Sequence, residues 1–262
     1  MLDQITPVIL TFNEAPNIGR TLEHLSWAKD VVVVDSFSTD ETVAIVSRFS
    51  NARLFQREFD THAHQWNFGI RETAIGTEWV LALDADYIVS EDLLREIQSL
   101  APEADAAGYR ASFKYCIEGR PLRATVYTPV TVLFRRERAV YAQNGHTQRV
   151  TVDGKTADLS AVIFHDDRKP LSRWVASQDR YMWLEAEKLL NTDWSNLGWA
   201  GRIRKLRVVA PFAMLFYCLF LRGLVLDGRA GLFYSFQRAF AELLLSLRLL
   251  QHDLSLGSKA RN

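Results

Sequence analysis

Asp84 and Asp86 stand one residue apart in WVLALDADYIV, directly after five consecutive apolar residues. Asp35 and Ser36 follow VVVV in the same way, with Asp40 past a short turn, and Thr11, Asn13 and Glu14 close the apolar run ITPVILTF. If each run is a strand of one parallel sheet, these side chains collect at its carboxyl edge, where open α/β sheets bind their ligands. Carboxylates gathered there repel one another and raise each other's pKa unless a cation relieves them. Oxygen donors suit Mg²⁺ or Mn²⁺, and Mg²⁺ is commonly held by one or two carboxylates together with substrate phosphates. The chemistry expected is therefore that of a diphosphate-bearing ligand bound through a divalent cation. No GxGxxG follows the first run and no GxxxxGK[ST] occurs anywhere, which argues against a dinucleotide oxidoreductase or a P-loop NTPase.

The elements that would position these residues alternate between strand and helix signals. Residues 5–12, 31–34, 52–56 and 79–83 read as strands, and the β-branched run at 31–34 as one buried on both faces. Between them, Ile18, Leu22 and Leu25 recur with helical spacing, Ser38 and Glu41 form a capping-box pair ahead of VAIVSRF, and 61–75 reads as a third helix. Ser90 caps EDLLREIQSL. This order predicts an α/β fold with a mostly parallel, doubly wound sheet. Beyond residue 105, strands are expected near 107–115, 121–127, 130–135, 148–152 and 157–164, the last two joined in a hairpin at Asp153-Gly154. Pro170 opens a helix reaching about 190. A division into a domain of residues 1–190 and a helical tail of residues 191–262 follows.

Of 262 residues, 48% are hydrophobic and 24% charged, a globular composition. The formal net charge of zero conceals an asymmetry. Residues 1–199 carry 21 Lys/Arg against 28 Asp/Glu, and residues 200–262 carry 10 against 3. An acidic body with a basic, apolar tail argues against nucleic acid as a partner and for an anionic membrane surface. In that tail, RIRKLR (202–207) precedes 14 uncharged residues, Val208 to Leu221, too few for a standard span at 1.5 Å per residue. Two apolar helices, about 205–226 and 231–250, are expected to lie in or on the interface. Residues 200–250 are thus the expected membrane contact, and the protein is placed at the cytoplasmic face of a membrane, peripheral or monotopic. Cys116 and Cys218 form neither a metal motif nor a disulfide framework, which suits a reducing compartment. The opening MLDQITPVIL has no basic region or long apolar core of a secretory leader.

TFNEAPNIGRTLEHL, VVVVDSFSTDETVAIV, the Gln65–Asn67 pair in HAHQWNFGI and WVLALDADYIVSEDL, in that order and spacing, resemble family-2 glycosyltransferases, and in pattern the bacterial group that includes lipopolysaccharide-core β-glucosyltransferases. A lone DxD is a weak signal; the ordered set is a strong one, and it covers roughly residues 5–190. The resemblance implies a GT-A fold, a nucleotide-sugar donor, a divalent cation (Mg²⁺ or Mn²⁺) and inversion at the anomeric carbon. It implies that Asp35 and Ser36 contact the nucleoside, with Thr11, Asn13 and Glu14 beside base and ribose, and it places Gln65 and Asn67 in the donor-binding set. Asp84 and Asp86 match the DxD, Asp86 being the expected direct ligand, and His165 resembles a histidine that closes the metal–diphosphate site.

Two departures bear on mechanism. Tyr87 stands where many relatives carry a further acid, and Gly145-His146-Thr147-Gln148 replaces the usual His-Glu near the acceptor. Inversion by single displacement needs a base on the acceptor hydroxyl. His146 holds the family position for it, and Asp166 and Asp167 in HDDRKP are the alternatives. The acceptor expected is a lipid-linked or envelope glycan. A non-catalytic, membrane-associated glycan- or nucleotide-sugar-binding protein and a sugar-nucleotide pyrophosphorylase are the competing readings. The latter usually carries a Gly-rich basic loop where this chain has TFNEAPN.

Overall fold

The structure, a computed structural model, describes residues 1–101, 105–144 and 147–259. The chain divides into two units. One comprises Met1–Pro121 and Tyr127–Lys169, the other Leu122–Val126 and Pro170–Asn262.

The first unit runs β1 (Ile5–Thr11), α1 (Ile18–Glu23), β2 (Val31–Asp35), α2 (Thr42–Val46), β3 (Ala52–Gln56), α3 (His62–Arg71), β4 (Trp79–Asp84), β5 (Tyr87–Val89), α4 (Glu91–Ser99), β6 (Ala106–Ile117), β7 (Arg120–Pro121), β8 (Val130–Arg135), β9 (Ala139–Asn144), β10 (Thr147–Val152) and β11 (Lys155–His165). The main sheet has the order β3-β2-β1-β4-β8-β6-β11-β5, with β7 added to β6. Its first four strands are parallel, β8 is antiparallel to both neighbours, β11 is parallel to β6, and β5 is antiparallel to β11. β9 and β10 form a separate two-stranded sheet.

The valine run shows why the sheet is covered on both sides. Val31 and Val33 join the apolar cluster of Ile9, Leu22, Leu25 and Leu81, while Val32 and Val34 join that of Val8, Trp66 and Ile70. Side chains alternate across a strand, so only a strand packed on both faces reads as a continuous apolar run. Thr61 and Ser90 cap α3 and α4, accepting from the N–H of His64 at 3.2 Å and of Leu93 at 3.1 Å.

Several expectations are corrected. Ser38 does not cap α2, because its hydroxyl bonds Asp35 instead. The 148–152 and 157–164 segments do not form a hairpin. β10 pairs β9 while β11 pairs β6 and β5. The Asp153 N–H reaches Arg138 at 2.8 Å and that of Lys155 reaches Asp105 at 3.1 Å, so Gly154, at φ 131°, redirects the chain from one sheet to the other. Of the strand expected at 121–127 only Pro121 is in a strand, as the second residue of β7, and Leu122–Val126 belongs to the helical unit. β5 has no counterpart in the sequence reading.

The second unit comprises α5 (Leu171–Leu190), α6 (Trp199–Lys205), α7 (Val209–Phe216), continued by a π turn at Tyr217–Leu221, and α8 (Gly228–Lys259). α5 groups here, so the division falls at 169/170 and not at the expected 190/191. Ala186 and Leu189 of α5 pack with Leu245 and Leu249 of α8. Arg204 of α6 forks onto Glu242 at 3.0 and 3.1 Å and reaches Glu185 at 3.2 Å. Burial alone would lower the pKa of this guanidinium, but the two carboxylates raise it. Arg207 pairs with Asp253 at 2.8 Å, so two of the four cations of RIRKLR are neutralised within the unit. The strap Leu122–Val126 is held by the Tyr234 hydroxyl, 3.2 Å from Thr125 Oγ1 and accepting from the Val126 N–H at 3.1 Å, and by Arg123 on Asp227 at 2.9 Å. Among the described residues no single helix is long and apolar enough to cross a membrane; Val209–Leu221 and Leu224–Ser255, bent by 71°, meet those criteria only together. Cys116 and Cys218 are free and buried.

Candidate active site

Strand pairing assembles the centre of the site. β4 ends at Asp84, Ala85 and Asp86 form the turn, and β5 begins at Tyr87, which is registered against His165 at the end of β11. The Asp166 N–H extends that ladder to the Asp86 carbonyl at 3.0 Å. His165 Nε2 is thereby set 3.2 Å from Asp86 Oδ2. Tyr87, Tyr115 and Tyr127 surround the imidazole, with ring centroids at 5.2, 4.7 and 5.4 Å. Tyr87 lies close enough to Asp84 to work against a rise in that carboxyl's pKa. Burial and the neighbouring Asp86 charge push the Asp84 carboxyl up. Burial acts the same way on Asp86, but the His165 and Lys169 charges outweigh it and hold that carboxyl low. Burial would lower the His165 pKa, yet Asp86 raises it.

The nucleoside-side residues expected from the sequence lie along the same edge and are tied to one another. The fully buried Asp35 accepts from Thr11 Oγ1 at 3.0 Å, from the Ser38 N–H at 2.9 Å, from the Ser38 hydroxyl and from Gln56 Nε2 at 3.2 Å. Asn13, at φ 56°, donates its N–H to Ser38 Oγ at 2.7 Å and accepts from the Thr39 N–H at 2.7 Å, locking the loop after β1 to the loop after β2. Gln65 joins the edge through Ser36 Oγ at 2.9 Å and Arg57 at 2.7 Å. Asn67 does not. Its amide bonds the Tyr141 backbone in both directions, at 2.9 and 3.0 Å, which pins α3 to β9.

A network that sequence reasoning missed closes the other side. Asn17, with no exposed surface, donates to Glu14 Oε2 at 2.9 Å and Asp167 Oδ1 at 3.0 Å, and accepts from Arg20 at 2.8 Å and from the Arg168 N–H at 2.9 Å. Lys169 Nζ lies 2.6 Å from Glu14 Oε1 and 3.6 Å from Asp167. Burial would lower the Lys169 pKa, but Asp86, Glu14 and Asp167 raise it well above its ordinary value. Glu14 is pushed up by burial against the pull of Lys169. Asp166 is corrected as a candidate base. It accepts from Arg20 at 2.7 Å, from Arg168 at 2.9 Å and from the Gly119 N–H at 3.0 Å. Burial works to raise its pKa, but these donors bring it below the ordinary value, which makes it a weak proton acceptor. Asp167 has hydrogen bonds only to Oδ1 among the described residues. His146 lies outside the described residues.

The metal expectation meets a mixed result. Among the described residues no group of three or more His, Cys, Asp or Glu side chains is arranged to hold an ion, so Asp84, Asp86 and His165 are not a ready-made cage. Asp86 and His165 bond each other instead. Asp86 Oδ1 and His165 Nδ1 are nevertheless buried without a hydrogen-bond partner. An orphaned carboxylate oxygen at this edge is costly unless something charged or hydrogen-bonding completes it. The donors present therefore fit a divalent cation whose remaining ligands come from a diphosphate.

The comparisons agree with this geometry. A protein from Rickettsia bellii (strain RML369-C) described as an uncharacterized glycosyltransferase is 26% identical over 99% of this chain and 90% of its own. The lipopolysaccharide core biosynthesis glycosyltransferase LpsC of Rhizobium meliloti (strain 1021) is 24% identical over 94% of this chain and 92% of its own. In structure, S. aureus TarS 1–349 in complex with UDP-GlcNAc superposes with a TM-score of 0.51 at 17% identity, covering 90% of each chain, which shows the GT-A fold. Residues 6–168, which hold nearly the whole main sheet and the clustered side chains above except Lys169, match the model of Glycosyl transferase family 2, and the chain belongs to that family.

Proposed function

We propose that the protein transfers a single sugar, with inversion, from a nucleotide-sugar donor to a lipid-linked or envelope glycan acceptor, in the synthesis of lipopolysaccharide or a related polysaccharide. The observation that carries the reading is the convergence of Asp86, His165 and Lys169 on one strand-end edge beside the Asp35–Thr11 pair. The name of the relative LpsC supports the acceptor class. Asp35, Ser36, Thr11, Asn13 and Gln65 would form the nucleoside side. Asp86 and His165, with Asp84 behind them, would hold the Mg²⁺ or Mn²⁺. When bound, the cation stabilises charge on the departing diphosphate. Lys169 supplies a further positive charge on that side. Asp167, with its open oxygen, and His146 are the two groups proposed to take the acceptor proton.

Incubation with UDP-, GDP-, ADP- and dTDP-sugars and Mn²⁺ should give slow hydrolysis of one nucleotide class, and that class should raise the melting temperature. In the same assay His146→Ala and Asp167→Asn are compared, and the base is the residue whose loss removes acceptor transfer while donor binding persists. If no donor is hydrolysed and none stabilises the protein, these nucleotide sugars are not its donors and the donor reading fails.

The helical unit is proposed to dock on an anionic membrane surface at the cytoplasmic face. Phe212, Phe216 and Phe220, four residues apart, are 76, 56 and 60% exposed, as are Leu221 at 68% and Leu226 at 71%. Large contiguous apolar exposure of this kind marks an interaction surface. Because Arg204 and Arg207 are paired internally, the apolar contact should dominate. The full chain is expected to sediment with membranes, resist high salt and dissolve in detergent. Phe212→Ser/Phe216→Ser/Phe220→Ser should move it to the supernatant. An intact chain found in the supernatant without detergent refutes the membrane proposal.

A further inference from the structure

Asp86 and His165 meet although the strands that carry them do not pair. In the main sheet β8 and β6 lie between β4 and β11. The contact is made because the chain turns at Ala85 and Asp86 after β4 and rejoins the sheet at its far edge as β5. The strands from β4 round to β5 are thus a closed circuit. Its closing joint, β5 on β11, is three residue pairs long. A reactive constellation has to be held to a fraction of an ångström by the groups around it. So short a joint leaves the 3.2 Å contact of His165 with Asp86 open to small shifts unless something else braces it.

The braces converge on Asp166, the neighbour of His165. Its N–H donates to the Asp86 carbonyl at 3.0 Å, and its own carbonyl accepts from Arg20 of α1 at 2.8 Å. Its buried carboxylate accepts from Arg20 at 2.7 Å, from Arg168 Nε at 2.9 and 3.0 Å, and from the Gly119 N–H in the β6–β7 turn at 3.0 Å. One residue therefore ties together the β4–β5 turn, α1, the β6–β7 turn and the loop after β11. Gly119 is part of the device. It stands at φ 75°, and a Cβ there would come within 2.6 Å of the Arg168 guanidinium. Both oxygens of the Asp166 carboxylate are engaged, so it has orientation to offer and no vacant position for a substrate proton. A buried carboxylate paired to guanidiniums adds little stability over apolar packing, whereas its forked hydrogen bonds fix geometry closely.

We propose that Asp166 is a positioning residue, which braces the β5–β11 joint and so holds His165 against Asp86 in the arrangement that receives the cation. The inference rests on the reading of that pair as the cation site. The full chain is titrated with Mn²⁺ in the presence of whichever of UDP, GDP, ADP and dTDP binds most tightly. Water proton relaxation is the readout, at a temperature where every variant compared is folded. Asp166→Asn keeps the shape and removes the charge and one acceptor oxygen. It is expected to weaken Mn²⁺ binding roughly tenfold or more, the usual cost of losing a group that orients a metal ligand. Gly119→Ala, which pushes Arg168 off the carboxylate, should weaken it in the same direction. Asp30→Asn is the control for stability alone. It breaks the fork of Arg53 on Asp30, at 2.6 and 2.8 Å, just ahead of the amino end of β2. It should lower the melting temperature and leave Mn²⁺ affinity at the wild-type value. Wild-type Mn²⁺ affinity in folded Asp166→Asn would overturn the brace while leaving the donor site in place; should that variant not fold, Gly119→Ala decides in the same way. Equal weakening in Asp30→Asn would also overturn it, because the loss would then follow stability and not position. A wild-type protein that binds no Mn²⁺ with any of these nucleotides would overturn both this inference and the cation site beneath it.

Discussion

Asp86→Asn is expected to reduce sugar transfer by about three orders of magnitude, close to 4 kcal/mol in the barrier, without unfolding the protein. The substitution keeps the volume of the side chain and removes one charge. In the structure that charge holds Oδ2 against His165 at 3.2 Å and leaves Oδ1 buried and unpartnered. An amide cannot supply the anionic oxygen a hard cation requires. Because the residue sits at a strand end, no cavity opens, and the melting temperature without metal should change little. Mn²⁺ binding, followed by its effect on water proton relaxation in the presence of a nucleoside diphosphate, should weaken in parallel with turnover. Near-normal turnover at saturating Mn²⁺ would show that Asp86 is not the residue that holds the cation.

Asn17→Asp is expected to destabilise the protein by about 3 kcal/mol at pH 8 and by clearly less at pH 5. The side-chain shape is conserved, but the amide nitrogen that donates to Glu14 at 2.9 Å and to Asp167 at 3.0 Å becomes an oxygen facing two carboxylates. Glu14 is already pushed up by burial, and a third carboxyl raises the cluster further. The folded variant then retains a proton that the unfolded chain has released. Stability therefore falls as pH rises from the ordinary carboxyl range, about 4, through the raised folded value. Asn17→Ala, which removes the donor without adding charge, should cost a similar amount with little dependence on pH. Melting curves of both variants at the two pH values provide the measurement. A wild-type melting temperature for Asn17→Asp at pH 8 would contradict the hydrogen bonds assigned to the amide.

What the sequence made legible follows from how local each signal is. The runs at 5–11, 31–35 and 79–84 are almost wholly buried and mostly apolar because both faces of the sheet are covered, so the strands and the polar residues at their ends could be read directly. Thr61 and Ser90 capped the expected helices because capping acts within one turn. The partners of Asp86 were less accessible. β5 has only three residues, too few for periodicity to register, and its value lies in pairing with a strand that begins more than sixty positions later. Asn17 stood ahead of a helix, where asparagine is an ordinary cap, yet its amide makes no cap and serves long-range partners instead. Asp166 and Asp167 are adjacent and chemically identical in the sequence. Only the arginines folded onto the first separate their roles.

The strap Leu122–Val126 has a consequence for how such enzymes can exchange parts. Its backbone is held by Tyr234 and by Arg222, whose guanidinium reaches the Thr125 carbonyl at 2.7 Å, although more than ninety residues separate these positions in the chain. A single crossover near residue 170 would therefore join a foreign helical region to a strap selected for another partner. Leu122 and Thr125, buried here, would lose their fit, and the Arg123–Asp227 pair would survive only where both positions happened to agree. Inheritance of the helical unit as a module requires two exchanges, one of them only five residues long. Lineages of this fold should accordingly vary their helical regions and their straps together, and a chimera designed from the chain order alone would separate a unit that the folded protein keeps whole.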